Sequence, residues 1–194
     1  MSIKIAVLGM GAVGKTSLTL RFISGYFVDD YEEVVQEWVR IMTVNGVEQR
    51  VEVLDTDGQQ EYSPQRDRDV QRADGFLLVY STTSHQTLLD VGEMRDRIYR
   101  ELDREHDEGI PIVLVGNKCD LEAQRRVERV EAAGIASEWG VPFMEVSAKL
   151  GINVEEAFET AIREALRFKG ASACESATAP VKKQRLPERG CFVQ

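Results

Sequence analysis

Nine residues near the amino terminus, Gly9-Met10-Gly11-Ala12-Val13-Gly14-Lys15-Thr16-Ser17, constrain this chain more than any other stretch. They fit the pattern G-x-x-x-x-G-K-[ST]. Glycines at this spacing let the backbone fold round an anion with its N–H groups turned inward. The motif requires a strand before it and a helix after it. Ile3-Lys4-Ile5-Ala6-Val7-Leu8 reads as a buried strand, and Ser17 to Ile23 carries helical spacing. A helix beginning near Lys15 directs its positive end at the same anion. Lys15 supplies a point charge for β- and γ-phosphates, and Thr16 a hydroxyl for Mg²⁺. The competing reading is a plain glycine-rich turn; Gly-Lys-Thr and its flanks count against it.

Further along, Ser24 to Glu33 is polar and turn-rich and reads as a mobile loop. Glu37 to Thr43 and Val47 to Leu54 are strand-like runs joined by Asn45-Gly46, a strong hairpin signal. One of the two should lie antiparallel at a sheet edge. A charged, mainly helical segment runs to Ala73. Gly75 to Tyr80 and Pro111 to Val115 are continuous apolar runs, as in parallel strands covered on both faces. Val141 to Val146 is a last strand. Between them Leu88, Val91, Met94, Ile98 and Leu102 recur at helical spacing, and Val127 to Glu138 is helical. Val154, Ala157, Phe158, Ala161, Ile162, Ala165 and Leu166 form the face of a final helix. The expectation is an α/β fold: a mostly parallel six-stranded sheet, one antiparallel edge strand, and helices on both faces. Ligands of such sheets bind beyond the carboxyl ends of the strands.

The chain has 194 residues, enough for one domain (1–169) with a tail (170–194). From Gly170 the composition shifts to Ala, Ser, Thr, Pro and Lys, which reads as disorder. A net charge of −9 argues against a nucleic-acid partner. Three cysteines, Cys119, Cys174 and Cys191, have no metal-ligand spacing and imply a reducing, intracellular setting. No signal peptide or spanning segment is expected, and Ser2 excludes N-myristoylation.

Three further loops carry chemistry. In Asp55-Thr56-Asp57-Gly58, a carboxylate at a strand end can hold Mg²⁺, and Gly58 leaves its N–H free to meet a terminal phosphate. Asn117-Lys118-Cys119-Asp120 follows a buried strand. The Asp120 carboxylate can accept two hydrogen bonds from guanine, and adenine offers no such pair. This disfavours an ATP-using kinase or ATPase. Ser147-Ala148-Lys149 ends the next strand and means little alone.

With these motifs in this order the chain resembles the Ras-like small GTPases over about residues 3–168 and again at its last four residues. The Ras group fits best, because no insertion follows Asp120 and a single cysteine stands in the terminal box. The resemblance implies a switch that hydrolyses GTP to GDP, with Gly11, Ala12, Val13, Gly14, Lys15, Thr16 and Ser17 around the phosphates. Phe27 would pack on the base, and Val28 and Asp29 near the ribose. Asp55 would hold Mg²⁺ through water, Gln59 would orient the attacking water, and Gly58 would donate to the γ-phosphate. Asn117, Lys118 and Asp120 would hold the guanine, Ser147 would brace Asp120, and the Ala148 N–H, with Lys149 beside it, would meet guanine O6. Effector proteins, a GTPase-activating protein and an exchange factor are implied as partners.

Two positions depart from the family pattern. Val34 stands where a Mg²⁺-binding threonine is usual, and valine cannot ligate a metal. Asp57 stands where alanine is usual and adds negative charge near the γ-phosphate. Weaker coupling between nucleotide and loop shape follows. The alternative is a guanine-nucleotide-binding interaction protein that barely switches. No arginine lies between Gly25 and Glu37 to act as a finger, so intrinsic turnover should be slow.

Cys191-Phe192-Val193-Gln194 fits a C-a-a-X prenylation box, its Gln favouring farnesyl. Residues 170–194 hold Lys182, Lys183, Arg185 and Arg189 against Glu175 and Glu188, a net +2, so that with −9 in total the body carries −11. An anionic inner membrane leaflet would attract the tail and repel the body, giving reversible attachment. The expected location is the cytoplasmic face of a membrane, or the eukaryotic cytosol without the lipid. Cys174 stands too far from Cys191 to be an obvious second acylation site. His85, His106, Trp38 and Trp139 read as surface or packing residues, with Trp38 placed to touch a partner.

Overall fold

The structure, a computed structural model, describes residues 2–27, 37–56, 64–106 and 108–178. Strands β1 (Ser2–Leu8), β2 (Glu37–Val44), β3 (Val47–Asp55), β4 (Gly75–Ser81), β5 (Ile112–Asn117) and β6 (Phe143–Glu145) alternate with helices α1 (Lys15–Ser24), α2 (Pro64–Arg72), α3 (His85–Glu101), α4 (Arg129–Trp139) and α5 (Val154–Thr178). The sheet order is β2-β3-β1-β4-β5-β6. Every pairing is parallel except β2 with β3. Asn45 and Gly46 both have positive φ, 51° and 77°, as a two-residue hairpin turn requires, and Val44 pairs with Val47 across it.

Strand alternation divides the core. Ile3, Ile5 and Val7 of β1 face one side, with Phe22 of α1 and Ala157, Phe158, Ala161 and Ala165 of α5. Ala6 and Leu8 face the other, with Leu88, Val91 and Ile98 of α3 and Ala132 and Ala136 of α4. Both faces of β4 and β5, and of β1 from Ile5 onward, are therefore dry, which is why these stretches read as apolar runs. Each fully buried large side chain contributes about 1.5–3 kcal/mol. Phe22 and Phe158 stack with centroids 3.9 Å apart and bind α1 to α5.

Alanines at four-residue spacing bring α5 close to the sheet. A Cβ on Gly75 would stand 3.2 Å from the Ala165 methyl, so the contact admits little more than hydrogen there. Arg40 of β2 donates to the Phe22 carbonyl and to Glu155, both at 2.7 Å, joining the edge strand to α1 and α5. At the opposite end Lys169 pairs with Asp74 at 2.9 Å, and Asp74 also accepts the Lys4 N–H.

The composition shift at Gly170 suggested that the tail begins there, but α5 continues to Thr178. Alanine is the strongest helix former, so an Ala-rich stretch extends a helix without an apolar stripe to announce it.

Candidate functional site

The carboxyl ends of β1, β3, β5 and β6 bring four loops to one rim of the sheet. The first runs from β1 to α1. Ala12 and Gly14 take positive φ, 62° and 92°, and curl the chain back on itself. Glycine is needed at 14 on two counts, since a Cβ there would also stand 2.5 Å from Asn117 Nδ2. Helix α1 begins with no acidic residue in its first turn and no side-chain cap, so its leading N–H groups suit an anion. Lys15 is buried, and its ammonium donates to the Met10 carbonyl at 3.0 Å.

Asp55 ends β3 beside Val7 and is 8% exposed. Thr56 donates from its hydroxyl to the Val7 carbonyl at 2.8 Å, fixing the exit of β3 against that of β1. Thr16 and Asp55 offer oxygen donors only. Among the described residues no group of three or more His, Cys, Asp or Glu could hold a metal. A sparse oxygen set fits Mg²⁺, which keeps most of its waters, better than a transition metal.

The third and fourth loops are stitched to the first and to each other. Asn117 Nδ2 donates to the Val13 carbonyl at 2.9 Å, and Lys118 Nζ to the Ala12 carbonyl at 2.6 Å. Asn117 Oδ1 accepts the N–H groups of Lys118 at 2.8 Å and Ala148 at 3.2 Å. Ala148, which the resemblance assigned to guanine O6, thus donates here to Asn117. Ser147 Oγ donates to Asp120 Oδ1 at 2.6 Å and accepts the Leu150 N–H at 3.0 Å. Among the described residues Asp120 Oδ2 takes no hydrogen bond. Lys149 is exposed next to this lattice, and Phe27 is half-buried against the core.

The structure thus brings together Gly11 to Ser17, Asp55, Asn117, Lys118, Asp120, Ser147 and Ala148. Val28, Asp29, Val34, Asp57, Gly58, Gln59 and Cys191 lie outside the described residues.

Several supports of the site escaped the sequence reading. Thr82 donates from its N–H to the Asn117 carbonyl at 2.9 Å and from its hydroxyl to the Lys118 carbonyl at 3.0 Å. Glu145, 7% exposed, receives Arg125 bidentately at 2.7 and 3.1 Å. The signal was a lone carboxylate inside the apolar run Val141 to Val146, which must find a buried cation. That hydrogen bonding holds the Arg125 guanidinium still more firmly protonated. Burial pushes the Cys119 thiol up, and the Glu145 and Asp120 charges add to it.

The remaining singled-out residues have packing or surface roles. His85 meets Glu131 at 2.7 Å, His106 meets Asp96 at 3.0 Å and stacks on Tyr99, and Trp139 lies under Arg95. Trp38 is half-buried against the α1–α5 core.

Comparison with known proteins bears on the whole of this arrangement. A model of the Ras family matches residues 4–167. The Ras-related protein R-Ras of Rattus norvegicus is 41% identical over 166 residues, covering 85% of this chain and 75% of that protein. R-Ras of Mus musculus is 39% identical over 189 residues, 97% of this chain and 84% of its own length. The Homo sapiens protein of the same name is 41% identical over 166 residues, 85% and 75% of the two chains.

Proposed function

The chain belongs to the Ras family of small GTPases, and from that premise we propose how its residues divide the work of binding and hydrolysing GTP at a membrane surface. The observation that carries the proposal is Asp120, held by Ser147 at 2.6 Å in a loop laced to the Gly9–Ser17 turn. A carboxylate fixed in this way recognises the N1–H and amino group of guanine. Lys15 and the leading N–H groups of α1 balance phosphate charge.

Thr16, with Asp55 through water, would hold Mg²⁺, which when bound neutralises charge on the β- and γ-phosphates. Gln59 would orient water and Gly58 would donate to the γ-phosphate. With no arginine between Gly25 and Glu37 to serve as a finger, the protein would turn over slowly until an activating protein supplied one. Farnesylation of Cys191 and the basic tail would place it reversibly on an anionic inner leaflet.

The test is affinity for GDP against ADP with Mg²⁺, in the parent and in Asp120→Ala. Losing a hydrogen-bonded charge that reads the base costs about 2–3 kcal/mol, so GDP affinity should fall roughly 30- to 150-fold. A variant that binds GDP as well as its parent would defeat the assignment.

A second reading rests on Val34 and Asp57. With no hydroxyl to reach the metal and an extra charge near the γ-phosphate, the GTP state would order its loops poorly. The protein would then hold guanine nucleotide with little change of shape. Phosphorus NMR with a GTP analogue separates the readings: several exchanging γ-phosphate environments favour weak switching, and one ordered environment favours a full switch.

A further inference from the structure

We propose that the buried Arg125–Glu145 pair is a positioning brace for base recognition, locking the two guanine-reading loops in register and so setting how long a guanine nucleotide stays bound. The inference rests on the guanine assignment above and adds a pair that touches no ligand.

Its basis is where the two residues sit. Arg125 directly follows the short 3-10 helix Glu122–Gln124, which continues from the Asn117–Asp120 loop. Glu145 ends β6, two residues before Ser147. Each guanine-reading loop therefore holds one half of the pair. The guanidinium donates to both Glu145 oxygens, at 2.7 and 3.1 Å, and to the Val127 carbonyl at 3.0 Å. Such a fork fixes distance and angle together. On the other side Asn153 Nδ2 donates to the Glu145 carbonyl at 2.9 Å, and Ser147 bridges Ile152, closing the 147–153 loop on the same residue.

The need for a brace comes from the sheet. Strand β6 has three residues and pairs only with Leu114, Val115 and Gly116. Past the strand the two loops share one backbone bond, Cys119 N–H to the Val146 carbonyl at 3.1 Å, and otherwise meet through side chains, the Ser147–Asp120 and Ala148–Asn117 contacts that the pair would hold in place. The carboxylate end of the pair is buried, with 8% of the Glu145 side chain exposed, and Arg125 is half-buried over it, so solvent screens the contact less than it does a surface pair. Removing Arg125 leaves the buried Glu145 carboxylate without its cation, and removing the Glu145 charge leaves the guanidinium only the exposed Glu122. The second carboxylate on Arg125, Glu122, is 72% exposed and serves as an internal control.

The full-length protein, Arg125→Met, Glu145→Gln, the double variant and Glu122→Ala are compared by release of fluorescent GDP into excess unlabelled nucleotide. Release of the inosine analogue, which lacks the amino group that Asp120 reads, is measured in parallel. Both single variants should release GDP roughly tenfold faster, the factor that about 1.4 kcal/mol of lost preorganisation gives. Their preference for the guanine form over the inosine form should shrink. The double variant should be no faster than either single one, because all three remove the same interaction, and Glu122→Ala should match the parent. A merely structural weakening would speed both nucleotides alike; that result, or release at the parental rate, overturns the brace. Should Arg125→Met fail to fold, the shape-preserving Glu145→Gln decides alone. A parent that does not prefer GDP to ADP removes the guanine assignment and the brace with it, whereas a guanine-selective parent with unaltered variants removes the brace only.

Discussion

Tyr80 carries a hydroxyl into the middle of the sheet, where its side chain is fully buried and, among the described residues, the oxygen has no hydrogen-bond partner. It crowds Gly116, on whose α-carbon a methyl would stand 2.5 Å from the hydroxyl. Tyr80→Phe should therefore leave urea stability unchanged or raise it by about 1 kcal/mol, since an unpartnered buried hydroxyl is costly. Burial, reinforced by the Glu145 charge, pushes the Tyr80 hydroxyl well above the usual phenol range. The unfolded chain ionises first as pH rises, at about 10. Stability tied to the neutral hydroxyl is then present below that pH and lost above it, and Tyr80→Phe should lose less between neutral pH and about 11. None of this could be read from the sequence, where Tyr80 is one more member of an apolar run. By contrast the contact between Ser147 and Asp120 was legible, because the resemblance that the motifs carry names it in advance.

At the scale of elements, the hairpin of β2 and β3 and the four parallel strands followed from Asn45-Gly46 and from apolar runs whose period reports burial on one face or two. The links between elements did not follow, because a charged side chain does not name its partner. Arg40 is the clearest case: its guanidinium lies 4.6 Å from the Phe22 ring while bonding the Phe22 carbonyl and Glu155. Glu155 is more than half exposed, so that ion pair is worth little. The carbonyl bond and the ring contact matter more. Arg40→Ala should cost about 1–2 kcal/mol in denaturant unfolding, and Glu155→Ala well under 1. Equal losses in the two variants would show the ion pair to be the principal link. The reach of α5 to Thr178 was hidden for a different reason, since helix propensity without amphipathicity leaves no periodic mark.

For the molecule as a whole, charge separation is the property most open to test. With −11 on the body and +2 on the tail, protein farnesylated in vitro at Cys191, the modification proposed above, should bind vesicles containing phosphatidylserine more tightly than neutral ones. Because each basic residue near such a surface contributes roughly 1 kcal/mol and is screened beyond about 10 Å at 0.1 M salt, raising the salt should erase most of that difference. Binding that ignores lipid charge would remove the basic residues from the account. Among the described residues no helix is long and apolar enough to cross a membrane. Helix α5 starts beside the Ser147–Asn153 loop, and its Lys169 reaches Asp74 near the beginning of β1. From Val154 to Lys169 it spans about 24 Å at 1.5 Å per residue. The helix therefore sets the two poles of the domain apart: the rim that carries Asp120 and Ser147 lies at its start, and the chain that continues past Lys169 leaves from the far pole, next to Asp74.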